Sequence, residues 1–296
     1  WRLARIARSD SSAPMGWSIS LFLMFMVFAG ILSTPVQAQT TFQVNDSAIF
    51  TPGTYTFEVP QGVTSIDVEA WGGGGAGGGS SNQNGYRARA GAGGGSSSYA
   101  ASSGIIVIPF SNHQVVVGNG GEGELEADGS DGEVSFFGVD SANAIVRSIG
   151  GSGGPACLGN SSVPGGLGGS ASLSAGDFVV DGSSGGIGEN TTFAISGFGG
   201  DAPFGGVGGV GVFGFFNSSN GNSGGIPGAG GSGSTTWRTQ GPRTGGNGGD
   251  GLVKVLYSYE VIGDLSANPN QSYANGLSII VLEISLEDAS ANPYES

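Results

Sequence analysis

Six carboxylates crowd one short stretch of this chain: Glu122, Glu124, Glu126, Asp128, Asp131 and Glu133. Paired carboxylates can serve a polysaccharide hydrolase as acid and base. The oxygens of Asp128, Asp131 and Glu133, in a loop that also carries Gly129 and Gly132, suit calcium instead. A solvated acidic loop is the third reading, because runs of like charge are usually solvated. No aromatic sugar platform lies near these residues in sequence, which counts against the hydrolase. Calcium is the one cofactor the chain raises.

Other catalytic chemistry finds little support. His113 is the only histidine and follows Ser111-Asn112. With no nucleophile elbow such as GxSxG it reads as a surface turn residue. Cys157 is the only cysteine and reads as a small buried hydrophobe. One His and one Cys exclude a zinc site. Phosphate cradles need a lysine after the glycine loop, and the only lysine, Lys254, sits inside a predicted strand. The chain therefore reads as a non-enzyme.

Recognition residues are a different matter. Tyr86, Arg87 and Arg89 interrupt one glycine tract, and Trp237 and Arg238 interrupt another. Polar enough to be loop tips, they would present aromatic and arginine anchors to a partner. Phe213, Phe215 and Phe216 lie in a stretch too apolar for full exposure. With Phe198 and Phe204 they are expected to close the ends of a glycine bundle against water.

The glycines must position all of these groups. Between positions 72 and 251 they fill 56 of 180 places, as doublets with a period of three. Gly165-Gly166-Leu167-Gly168-Gly169 and Gly245-Gly246-Asn247-Gly248-Gly249 are examples. That period fits neither an α-helix nor a strand. It fits polyproline-II geometry, with three residues per turn and no internal hydrogen bonds. The intervening positions divide into apolar (Leu167, Val207, Val210) and polar (Ser152, Asn247, Asp250). A bundle with an apolar inside and a polar outside follows from that division.

Strand patterns flank the tracts. Residues 42–50, 54–59, 63–71 and 252–261 read as strands, and Val63, Ile66, Val68 and Ala70 mark a buried face. Residues 105–110 and 114–118 suggest one hairpin, and 134–139 with 144–149 another. Shorter strands are expected at 178–180 and 191–195, and a strand-like run at 276–286. No stretch has helix periodicity. The predicted fold is all-β: a jelly-roll-like β-sandwich with an inserted polyglycine-II helix bundle.

Residues 1–38 have the layout of a secretory signal peptide. Arg2, Arg5 and Arg8 precede an apolar run at 17–32, and Val36 and Ala38 precede a cleavage point. Without residues 1–38 the chain keeps six basic and 22 acidic residues, a net charge of −16. Such a surface repels nucleic acid and anionic membranes, and no membrane insertion is expected after cleavage. The layout predicts a glycine-rich domain at 39–262 and a tail or second module at 263–296, exported to the cell surface or beyond.

The stretch from Thr54 through Val59, Trp71 and Gly75 resembles the opening of bacterial glycine-rich surface domains and of glycine-rich phage tail adhesins. Val115-Val116-Val117-Gly118-Asn119-Gly120-Gly121 resembles an internal strand-turn of that group, and Gly248-Gly249-Asp250-Gly251-Leu252-Val253 its last strand. The same order is similar to the glycine-rich extracellular region of anaplastic-lymphoma-kinase-type receptors. That resemblance covers residues 42–260 and implies a jelly-roll core with polyglycine helices between its strands. Those receptors are disulfide-bonded there, whereas one cysteine cannot form an internal disulfide, so the resemblance transfers architecture and no ligand. The function expected is a structural or adhesion module that binds a glycan or protein through its loops. An extracellular polysaccharide hydrolase and a passive spacer remain the alternatives.

Overall fold

The computed structural model describes residues 38–81, 88–190, 193–238, 240–267 and 282–285. Except for Ala38, the expected signal peptide lies outside them. The chain divides into two compact units. In the smaller, which draws on Trp1–Thr40 and Ile262–Glu287, Asp264 to Ala267 pair antiparallel with Ser285 to Leu282. The larger runs over Thr41–Val261 and carries every tract.

The fold is all-β, with one short 3-10 turn at Ala171–Leu173. Strands β1 (Ala38–Phe50), β2 (Gly53–Glu58) and β3 (Ser65–Trp71) open the larger unit. Two-residue β4 (Arg89–Ala90) precedes β5 (Tyr99–Ile106), β6 (Asn112–Val117), β7 (Ser135–Gly138) and β8 (Ala144–Ser148). Then come β9 (Phe178–Val180), β10 (Glu189–Asn190), β11 (Ala194–Ile195), β12 (Phe213–Gly214) and β13 (Thr235–Thr236). The last two are β14 (Leu252–Ala267) and β15 (Leu282–Ser285).

One sheet runs β1-β14-β3-β5-β9 and a second runs β2-β6-β7-β8. Their inward faces share one core: Ile66, Val68, Ala70, Val253 and Val255 from the first, Phe57, Val115, Phe137 and Val146 from the second. The alternation along β3 selects those positions, since successive side chains point to opposite faces. The expected hairpin of 105–110 with 114–118 does not form. β5 pairs with β3 and β9, while β6 pairs with β2 and β7. Hydrophobic pattern alone does not distinguish a hairpin from two strands that enter opposite sheets.

The first sheet ends at one level, where Trp71 pairs with both Leu252 and Tyr99, and Tyr99 with Val180. The glycine tracts continue beyond it. Serines manage the change: the Gly72 N–H donates to Ser148 Oγ at 2.7 Å and the Gly118 N–H to Ser135 Oγ at 3.0 Å. Both hydroxyls sit in the buried interior, where an unpaired N–H would be costly.

Past that level, hydrogen bonds turn from neighbour to neighbour with a period of three. Gly73, Ala76 and Gly79 donate to Glu133, Ser130 and Ala127. Gly74, Gly77 and Ser80 donate to Gly249, Gly246 and Arg243, and Gly75 and Gly78 to Gly95 and Ala92. In return, Gly73, Ala76 and Gly79 accept from Gly151, Gly154 and Cys157, Gly75 and Gly78 from Gly231 and Ser234, and Gly74 from Gly121. Segment 72–81 is thus ringed by other segments on every side. Segments 88–98 and 228–236 are likewise buried throughout. These three form the interior, and their few side chains are Ala, Ser, Thr and the one Arg89.

That interior corrects the expected division of the intervening residues. Leu167, Val207 and Val210 are 69%, 71% and 72% exposed. Polar Asn247 faces outward as well. Neighbouring backbones lie too close for any large side chain, so position in the tract, and not polarity, decides what points out.

Candidate functional site

The acidic stretch lies along the rim of the glycine array. Asp131 Oδ1 accepts the Gly153 N–H and Asp128 Oδ1 the Ala156 N–H, each at 2.7 Å. On another tract Asp250 Oδ1 accepts the Gly120 N–H at 3.0 Å and Asn247 Oδ1 the Gly123 N–H at 2.9 Å. Spacings of three on one side meet spacings of three on the other. At the rim a tract lacks one neighbour, and a side-chain oxygen replaces the missing carbonyl. Glu133 Oε2 takes both the backbone N–H (3.0 Å) and the side-chain amide (2.9 Å) of Asn119. Those bonds, the backbone one first, hold its carboxyl below the usual range.

Such bonding leaves the calcium expectation without a ligand set. Among the described residues no three His, Cys, Asp or Glu side chains are grouped to hold a metal ion. Asp128, Asp131 and Glu133 are strung along a rim and cap different amides.

Of the five predicted recognition residues, Tyr86 and Arg87 lie outside the described residues. Arg89 is no loop tip. It is 4% exposed, opens β4 opposite Thr236, and its Nη1 donates to the Ser81 and Leu158 carbonyls at 2.7 and 2.6 Å. The β4–β13 ladder draws it inward despite its charge. Trp237 is half-buried against Ala88, Ala90 and Ala194. Arg238 is exposed, with its guanidinium carbon 5.2 Å from the Trp237 ring centroid, within cation–π range.

Beside this pair the structure assembles an aromatic strip, whose Phe213, Phe215 and Phe216 were expected to close the ends of the glycine tracts against water. The short sheet β10-β11-β12 turns Ala194 and Gly214 inward and Ile195, Phe213 and Phe215 outward. Phe193 and Phe215 rings lie 4.6 Å apart, Phe215 and Phe216 4.0 Å, and Phe216 and Trp237 5.4 Å. Phe213, Phe215 and Phe216 are all exposed, Phe216 by 59%. Phe216 and Arg238 also hold φ of 65° and 46°, a region bulky residues rarely enter. Phe193 directly precedes β11, inside the 191–195 stretch expected as a strand, and the local pattern there gives no sign of its distant ring partner Phe215.

Phe198 and Phe204 do not close the ends of the glycine tracts either. Phe198 and Phe204 are exposed, Phe204 by 72% with its ring 5.1 Å from Tyr99. Nearby, the Trp71 indole N–H donates to the Pro203 carbonyl at 2.7 Å.

His113 sits inside β6, opposite Phe57, and not at a turn. Its ring stacks on Phe137 at 5.0 Å, and burial lowers its pKa. Ser111 Oγ lies 3.2 Å from Nε2. Among the described residues no carboxylate bonds this imidazole, so the third member of a nucleophilic relay is missing. Cys157 is fully buried, with the Asn190 amide nitrogen 2.6 Å from its sulfur.

A family model described as a glycine-rich domain matches residues 50–258. The chain belongs to that family. In this glycine-rich domain the match begins at the end of β1 and stops within β14, so it takes in the β2-β6-β7-β8 sheet, the first sheet apart from β1 and the end of β14, the tracts and the aromatic strip. No curated protein matches the chain. Among the described residues no helix is long and apolar enough to cross a membrane.

Proposed function

We propose that this glycine-rich domain is a non-catalytic structural and adhesion module of a secreted or surface-exposed bacterial protein. Its tracts form a polyglycine-II bundle carried by a jelly-roll-like sandwich. The period-three turning of hydrogen bonds around segment 72–81 supports the bundle. Export rests on the 1–38 pattern. The aromatic strip carries the adhesion reading: a contiguous exposed aromatic patch on a monomer marks an interaction site. Rigid scaffolds hold such anchors at little entropic cost.

Beads coated with the purified chain test it, on surfaces bearing arrayed glycans or extracellular proteins. Attachment that falls with Phe216→Ser and Trp237→Ala, at unchanged thermal stability, is the expected result. No attachment to any surface would leave a spacer, and release of reducing sugar from a glycan would mean an enzyme. A random-coil circular dichroism spectrum would remove the bundle.

A further inference from the structure

On the outward face of the β2-β6-β7-β8 sheet, far in sequence from the aromatic strip, lies an open depression of about 410 Å³. It is bounded by Thr56, Asn112, His113, Gln114, Gly138 and Val139. Register explains why these residues meet: Thr56 pairs with Gln114 and Gln114 with Gly138, one continuous outward row, with Asn112 two residues along. The register shift between Phe137 and Gly138 bends β7 at this point. Gly138 has φ 153°, and a Cβ there would stand 2.9 Å from the Ala144 Cα and the Ile145 nitrogen. No side chain can fill the notch from that position.

The Thr56, Asn112 and Gln114 side chains at the depression are uncharged and exposed to water. The Thr56 hydroxyl and the Asn112 and Gln114 amides have no side-chain hydrogen bond among the described residues. Each amide sets a donor beside an acceptor, the arrangement that pairs with neighbouring hydroxyls. Val139 is 76% exposed and offers an apolar contact at the rim. The His113 ring turns to the core side against Phe137, where burial lowers its pKa. No lysine or arginine lines the notch to hold an anion. Glu58 stands opposite Asn112 on the same outward face without joining the lining, and Asp140 is held by the Ala142 and Asn143 amides.

We infer that this depression is a binding site for a neutral sugar, whose hydroxyls meet Thr56, Asn112 and Gln114 while a C–H face rests on Val139. It deepens the adhesion reading by naming a ligand class, and rests on that reading for its biological use.

Titration of the ¹⁵N-labelled full chain with the methyl glycosides of glucose, galactose and mannose tests it directly. The expected result is a saturable shift of the Asn112 and Gln114 side-chain amides by at least one sugar, with millimolar affinity. Gln114→Ala should weaken it about tenfold, Val139→Asp should weaken it too, and Phe216→Ser should leave it unchanged. Resonances elsewhere report that each variant is folded. Absent shifts, shifts centred away from β6, or equal affinity in Gln114→Ala would each overturn the site. So would tighter binding of an anionic or amino sugar than of its neutral counterpart. Bead attachment lost with Phe216→Ser while no sugar moves the amides would sink the sugar site and leave adhesion standing. Sugar binding without attachment to any surface would do the reverse.

Discussion

Gly77→Ala is the sharpest perturbation available. A Cβ at Gly77 would lie 1.9 Å from the Ser232 carbonyl oxygen, 2.3 Å from its carbon and 2.7 Å from the Gly233 nitrogen. All three are backbone atoms of an interior segment, so no rotamer can relieve the clash. Ordinary contact begins at 3.4 Å, and the two segments must therefore part by about 1.5 Å. They are joined by the Gly231 N–H to Gly75 carbonyl bond at 2.9 Å and the Ser234 N–H to Gly78 carbonyl bond at 3.1 Å. Both break at that separation. Each buried N–H left without a partner costs about 1–3 kcal/mol, so the two stranded N–H groups alone put Gly77→Ala at about 2–6 kcal/mol of destabilisation. Gly159→Ala is the control, because nothing lies within 4 Å of its added Cβ. It should be neutral, or stabilise by up to about 1 kcal/mol through the unfolded chain. Urea unfolding of the two variants measures the difference, and hydrogen exchange at Gly231 and Ser234 locates it. If Gly77→Ala fell within about 1 kcal/mol of Gly159→Ala, at equal m-value, close backbone packing would not be what demands glycine here.

Other outcomes follow from the same geometry. Ser148→Ala strands the buried Gly72 N–H and should cost about 1–3 kcal/mol in urea unfolding. Asp131→Ala, at the exposed rim where water can reach the Gly153 N–H, should cost less than about 1 kcal/mol in the same assay. The folded pKa of Glu133 is depressed, so its stabilisation is complete above the usual carboxylate range and is lost as pH falls through the lowered value. Glu133→Gln should flatten that part of the stability–pH curve. Burial and Glu69 raise the Tyr99 hydroxyl from 10.0 to about 12. Its stabilisation is present below pH 10 and is lost as pH rises through about 12. Ultraviolet titration should show a tyrosine titrating near 12 that moves earlier in Glu69→Gln.

The sandwich was legible because strands advertise a period of two. Ile66, Val68 and Ala70 are buried as their alternation requires, Val63 is buried ahead of the strand and out of that alternation, and the 134–139 and 144–149 pair forms as β7 and β8. Which strands pair was less legible. The segments 105–110 and 114–118 are close in sequence, yet they feed different sheets, and nothing local encodes that choice. The period of three was visible too, but its consequence for side chains was misjudged. Helices and strands bury side chains on one face. Here the buried surface is backbone, so Leu167 and Val207 face out despite their hydrophobicity.

The same inversion explains why the candidate site was half-hidden in the sequence. In a side-chain core, Phe213, Phe215 and Phe216 would be pulled inside, since burying a ring is worth about 1.5–3 kcal/mol. A glycine array has no cavity to receive them, and they collect outside as a strip. Carboxylates at period three acquire a structural duty for a related reason. Every rim amide needs an oxygen, and Asp128, Asp131, Asn247 and Asp250 provide it. Acidic residues in such tracts therefore speak first of a lattice edge, and aromatic ones of a surface left open. An interior made of backbone forces large apolar groups outward, and that leaves an exposed aromatic strip where a conventional domain would keep its core.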